Sequence, residues 1–154
     1  TVDEVKATLK IRLLALLKIP LMFFCRPRIL NINDDSVTVV IPFTRKTKNH
    51  VGSMYFGALS VGADLAGGYL AMHHIFKINK NIKLIFKDFK ADFFKRAEGN
   101  VHFVCNDGLE IKKLVKEVSM SKERGNMPVN ITAYVPSKFN DLPVAKFTLT
   151  LSIK

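Results

Sequence analysis

Apolar positions along the chain recur at two spacings, and the changes from one to the other mark out its elements. Between about Val2 and Lys18, Val5, Leu9, Leu13, Leu16 and Leu17 fall at helical spacing, with Asp3 and Glu4 in the first turn where acids complement the helix dipole. Pro20 ends this segment. The stripe predicts an amphipathic helix whose leucines cover one end of a core, in preference to a helix lying on a membrane surface. Two short strands follow, Arg28 to Asn33 and Ser36 to Phe43, joined at Asp34-Asp35; Val37, Val39, Ile41 and Phe43 share one face of the second, so the pair predicts a hairpin.

A long helical segment from about Ser53 to Ile75 comes next. Ile82, Leu84 and Phe86 then alternate in even register and Phe89, Ala91 and Phe93 in odd register, which predicts a strand with a bulge near Lys87-Asp88. A strand through Val101, Phe103 and Cys105 precedes a helix from Leu109 to Ser121, whose Leu109, Ile111, Leu114, Val115 and Val118 face inward while Lys112, Lys113, Lys116 and Glu117 face out. Val129 to Val135 and Ala145 to Ile153 alternate as two further strands, turning at Asn140-Asp141. Successive strands without crossover helices predict an antiparallel sheet and an α+β domain.

The long helix is the unusual element. It is apolar nearly all round and carries Gly57, Ala58, Ser60, Gly62, Ala63, Ala66, Gly67, Gly68 and Ala71. A glycine costs about 1 kcal/mol in a helix interior, so close approach of other parts of the chain is the expected compensation. A sheet wrapped around the helix would provide it. Between Lys48 and Lys77, leaving histidines aside, the only formal charge is Asp64. An unpaired carboxylate withdrawn from water costs several kcal/mol, so this one must either be satisfied by hydrogen bonds or be used chemically.

Composition narrows the setting. With 154 residues, 48% of them hydrophobic, the chain fits one domain, residues 1–154, able to bury about two thirds of its unfolded surface. Its 24 Lys and Arg against 13 Asp and Glu give a net charge of +11, which favours anionic partners without choosing among them. Cys25 and Cys105 form no CxxC and fit neither a disulfide scaffold nor a zinc site, so no metal is expected and a reducing, cytoplasmic location is. Arg12 and Lys18 interrupt the apolar N-terminal stretch, no small-residue cleavage pattern follows it, and no run is long enough for a membrane span.

The residues leading into the long helix, Asn49-x-x-Gly52-x-x-Tyr55-Phe56-Gly57 with Asp64 seven positions beyond Gly57, resemble the Asn-x-x-Gly-x-x-His-Gly-Gly…Asp signature of phenylacetate-type acyl-CoA thioesterases of the hotdog fold. The strand order matches that fold along nearly the whole chain. The Asn49-His50-x-Gly52 opening and the additional helices are similar to a sparsely characterised hotdog subfamily known only as a domain of unknown function. The resemblance implies a thioester hydrolase, dimeric or a dimer of dimers, with its sites at the dimer interface. By position, the Phe56 backbone N–H would polarise the thioester carbonyl beside Gly57, Asp64 of the other subunit would be nucleophile or general base, and Asn49 would orient water or carboxylate. Gly52, Tyr55, Lys95 and Arg96 would border the substrate, the last two near coenzyme A phosphates. Coenzyme A would enter only as part of the substrate, and no separate cofactor is implied.

The chain departs from the signature in two respects. Tyr55 and Phe56 replace the family's histidine and first glycine, which narrows the entrance, and no hydroxyl occurs from Ile82 to Phe94, where some relatives supply one to assist the carboxylate. Hydrolysis of an acyl-CoA or acyl-carrier-protein thioester is therefore set against binding of the same ligand without turnover. Nucleic-acid binding would rest on charge alone and finds no recognition motif. His50 is expected in a loop or interface, and His73 and His74 at the helix C-terminus, where a cation suits the dipole.

Overall fold

The computed structural model describes residues 1–154. The elements run α1 (Val2–Lys18), α2 (Pro20–Phe24), β1 (Arg28–Ile32), β2 (Val37–Ile41), α3 (Phe56–Ile78), β3 (Leu84–Phe93), β4 (Val101–Cys105), α4 (Gly108–Ser121), β5 (Gly125–Tyr134), α5 (Pro136–Phe139) and β6 (Pro143–Ile153). All six strands form one antiparallel sheet in the order β1-β2-β4-β5-β6-β3, and α3 packs against five of them from within its curve. This is the α+β architecture the alternation predicts. No helix is long and apolar enough to cross a membrane.

Close packing explains Gly62 of α3, though not Gly68. A Cβ on Gly62 would lie 2.2 Å from the ring of Phe103, which is fully buried and stacks at 6.1 Å from Phe147. At Gly68 the same atom would meet only Phe86 at 3.5 Å and Asp64 Oδ1 at 3.7 Å, ordinary contacts. Gly62→Ala is therefore expected to destabilise the protein by about 2 kcal/mol through overpacking, whereas Gly68→Ala should be neutral or stabilising by up to about 1 kcal/mol through helix propensity. Urea denaturation of the two variants checks the contrast.

The bulge predicted near Lys87-Asp88 is present: Phe86 faces Leu151 and Phe89 faces Leu149, so two residues of β3 stand opposite Thr150. The Asp88 carboxylate accepts hydrogen bonds from the Thr150 amide at 2.9 Å and its hydroxyl at 2.8 Å. β3 lies at the sheet edge and leaves Ile85, Phe89 and Phe93, with Phe94 just beyond, about half exposed.

Several features differ from the sequence reading. In α4, Leu109 is 58% exposed rather than facing inward, because it lies in the helix's first turn, and Lys112 bonds the Asp34 carboxylate at 3.0 Å rather than facing out. α3 begins at Phe56 rather than Ser53, because residues 49–55 form a turn held from the side: Asn49 Oδ1 accepts from the amides of Val51 and Ser53, and Tyr55 donates its amide to the Thr47 carbonyl. Short helices α2 and α5 occupy what read as a break after Pro20 and a simple turn near Asn140. The largest difference is α1, whose limits are as predicted but whose face is reversed. It buries Ala7, Ile11 and Ala15, while Val5, Leu9, Leu13, Leu16 and Leu17 point outward. The buried side lies close to β1, with the Thr8 hydroxyl accepting from the Ile29 amide at 2.9 Å and Arg12 Nε donating to the Pro27 carbonyl at 3.0 Å.

Candidate functional site

Asp64 sits midway along α3, on the stripe Gly57, Ser60, Asp64 and Gly68, which helical spacing places on one side of the helix. That stripe borders a cavity of about 780 Å³. Its opposite walls are β3 from Leu84 to Phe89 and the α1–α2 elbow, through Leu14, Ile19 and Met22. Within the protomer Asp64 has no hydrogen-bond or ion-pair partner, and burial in this largely apolar cavity pushes its carboxyl up from an ordinary 3.8 to about 6. A carboxyl so placed exchanges its proton near neutrality, as a general base must.

Asn49, Phe56, Lys95 and Arg96 lie together elsewhere, around a second cleft of about 330 Å³ that they share with Phe93 and Phe94. Gly52 holds the turn before α3 with φ +79°, a value glycine adopts without strain. Arg96 reaches back to the Val51 carbonyl and pairs with Glu98 at 3.5 Å, fixing this turn against the β3–β4 connection. No side chain caps the N-terminus of α3, so its first-turn amides are free of side-chain acceptors where the dipole is positive. Tyr55 lies over Gly57, close enough that a Cβ there would clash with the ring, and its T-shaped partner Phe56 is 60% exposed at 5.2 Å. These two rings flank the approach to the amides.

Six of the eight predicted residues thus fall into two groups in one protomer: Asn49, Phe56, Lys95 and Arg96 at one cleft, Gly57 and Asp64 at the other, while Gly52 and Tyr55 line neither. Phe56 and Asp64 are eight residues apart on one helix, about 12 Å along its axis.

A family model described as a domain of unknown function, DUF4442, matches residues 8–152. The chain belongs to that family. No curated protein matches it by sequence. Among solved structures, a Chlorobaculum tepidum protein of unknown function is 14% identical with a TM-score of 0.82, covering 97% of this chain and 95% of that one. A Pseudomonas aeruginosa protein described as a probable thioesterase is 22% identical with a TM-score of 0.76, covering 93% and 92%. A Haemophilus influenzae thioesterase is 13% identical with a TM-score of 0.68, covering 92% and 87%. At such identities the likeness establishes the fold: the DUF4442 chain has the hotdog fold of these proteins, a sheet wrapped around a long helix.

Two groupings in the DUF4442 chain, one at the site and one away from it, were not foreseen from its sequence. Ser60 borders the Asp64 cavity one turn before the carboxylate, its hydroxyl donating to the Phe56 carbonyl at 2.9 Å; the i, i+4 spacing to Asp64 was the available signal. His73 and His74 lie about a turn before the end of α3, which continues to Ile78. His73 Nε2 lies 3.0 Å from Asp34 Oδ1, a carboxylate also held by Lys77 at 2.6 Å and Lys112 at 3.0 Å, and these partners keep Asp34 well below the usual carboxylate range. His74 is fully buried, with Nε2 2.9 Å from the Asp34 carbonyl oxygen, and burial lowers its pKa so that it is neutral at pH 7. This cluster ties the β1–β2 turn to α3 and α4. His50 is exposed in the loop, as expected.

Proposed function

We propose that the protein hydrolyses an acyl-CoA or acyl-carrier-protein thioester, at a site completed between two copies of the chain. The observation that carries this reading is Asp64: an ionisable, unpartnered carboxyl in an apolar cavity large enough for an acyl chain and bounded by the sheet's exposed edge strand β3. Pairing of β3 with the same strand of a second copy would cover Ile85, Phe89 and Phe93 and bring each Asp64 cavity towards the other protomer. Lys95 and Arg96 would meet the phosphates of coenzyme A, or the acidic face of a carrier protein.

In this mechanism Asp64 takes a proton from water as the water oxygen bonds to the thioester carbonyl carbon. The resulting oxyanion accepts a hydrogen bond from the Phe56 amide. Collapse of the tetrahedral intermediate breaks the carbon–sulfur bond and releases the thiolate, which takes up a proton to become the thiol, leaving the carboxylic acid. The base works only when ionised, so kcat/KM is expected to rise with pH through an apparent pKa of about 6 and level off above pH 7. A pH profile on the best substrate checks this; a flat profile from pH 5 to 8 removes the assignment.

A second reading is binding of the same acyl ligand without turnover. Two observations favour it: β3 brings no hydroxyl to the Asp64 cavity, and the Asn49 side chain is engaged with Val51 and Ser53. Thiol release from a panel of short, long and aryl acyl-CoAs separates the readings. Turnover lost in Asp64→Ala supports the first; tight binding with no release on any substrate supports the second.

A further inference from the structure

The outward face of α1 carries Val2, Val5, Leu9, Leu13 and Leu16 at steps of three and four, diametrically opposite the buried Ala7, Ile11 and Ala15. Leu9 is 62% exposed and Leu13 59%, and the ridge continues through Leu17 and Ile19 to Leu21, Phe23 and Phe24 of α2. A monomeric surface rarely leaves so many large side chains contiguous and uncovered. Basic residues lie beside the ridge on α1 and around the groove that adjoins it. Lys6, Lys10 and Lys18 of α1, and Lys80 beyond the end of α3, are exposed, and no carboxylate lies within 4.0 Å of any of them. The only acids of α1, Asp3 and Glu4, are confined to its first turn.

We infer that the α1–α2 ridge docks the protein onto an anionic phospholipid surface, with the leucines and phenylalanines among the acyl chains and the lysines at the headgroups. Charge and shape select this occupant. A second copy related by a two-fold axis would set this lysine-flanked face against itself. A convex ridge of protruding aliphatic side chains suits a fluid layer that closes around it, and unpaired lysines beside an apolar helix face are the pattern of interfacial helices attracted to anionic lipid.

The ridge also adjoins the candidate site. Leu14, Ile19 and Met22 of the same elbow line the Asp64 cavity, and a groove of about 710 Å³ with Lys10, Lys18, Lys77 and Lys80 at its rim shares Leu14, Tyr69 and Met72 with that cavity. Docking would hold this groove at the lipid surface, so that an acyl chain enters without passing through water. That consequence rests on the thioesterase reading; the docking does not, because it is read by binding alone.

Flotation of the full chain with vesicles tests it. Vesicles of phosphatidylcholine and phosphatidylglycerol at about 3:1 are expected to carry at least about tenfold more protein than phosphatidylcholine alone, with the difference shrinking at high salt. The double variant Leu9→Glu/Leu13→Glu, altered only at exposed positions, should keep its melting temperature and lose binding about tenfold or more. Lys10→Glu/Lys18→Glu should weaken binding to the anionic vesicles without changing that to the neutral ones. Absence of flotation with anionic vesicles, or undiminished flotation of the leucine double variant, overturns the proposal. So does a smaller oligomer for that variant in lipid-free light scattering, which would assign the ridge to a second copy, or binding of an acidic carrier protein to the ridge in place of vesicles.

Discussion

Asp64→Asn is expected to abolish thioester hydrolysis and, at pH 8, to make the protein more stable. The two effects have one cause. Burial lifts the Asp64 carboxyl to about 6 in the folded chain from an ordinary 3.8, with desolvation as the reason and no partner to offset it. Below about pH 3 the group is protonated in both states and contributes nothing. As pH rises from about 3 to 7 the unfolded chain ionises first, so the wild type loses stability, and above about pH 7 the loss is constant at roughly 2–3 kcal/mol. Asparagine keeps the shape and omits the charge. Melting curves of wild type and variant should therefore coincide near pH 3 and separate towards pH 8 with the variant higher, while the rate on the best acyl-CoA falls by about 10²–10⁴ for loss of a general base. A variant less stable than wild type at pH 8 would show instead a carboxylate held by hydrogen bonds, and would sink the catalytic reading if activity survived as well.

The same carboxyl shows what the chain's pattern could and could not reveal. A lone acid in an apolar, glycine-rich helix was visible from residue types alone, because hydrophobic periodicity locates what is buried and a charge out of keeping with it stands out. The bulge at Lys87-Asp88 was legible for a similar reason: a switch from even to odd alternation permits no regular register. The orientation of α1 was not legible. Both sides of that helix are apolar at helical spacing, and hydrophobic weight favours the leucines; burial went to Ala7, Ile11 and Ala15, where the two alanines let the helix approach β1 and Ile11 fills the core between them. Asp34 was equally hidden. Its partners His73, Lys77 and Lys112 lie 39, 43 and 78 residues away in sequence, and only the folded sheet brings the β1–β2 turn against the ends of α3 and α4.

Mixing two inactive variants should restore activity if the site is shared between protomers. Phe56 and Asp64 are separated by about 12 Å of helix, whereas the carbonyl polarised by one and the water activated by the other must be within about 3 Å of each group. One protomer's Asp64 therefore cannot serve a carbonyl held at its own Phe56 amide, and Asn49 stands with Phe56 at the separate cleft. In the proposed dimer, Asp64→Ala and Asn49→Ala each spoil both sites of a homodimer. A heterodimer of the two has one site with both defects and one with neither. Unfolding and refolding an equal mixture, with half of the dimers mixed and one good site in each, is expected to recover about a quarter of wild-type activity, against almost none for either variant refolded alone. Two tags and sequential affinity capture isolate the heterodimer, whose activity should be about half that of wild type. Recovery absent from a captured heterodimer places both residues in one protomer's site or removes Asn49 from catalysis; since Asn49 also holds the 49–53 turn, circular dichroism of Asn49→Ala identifies a loss that is only structural.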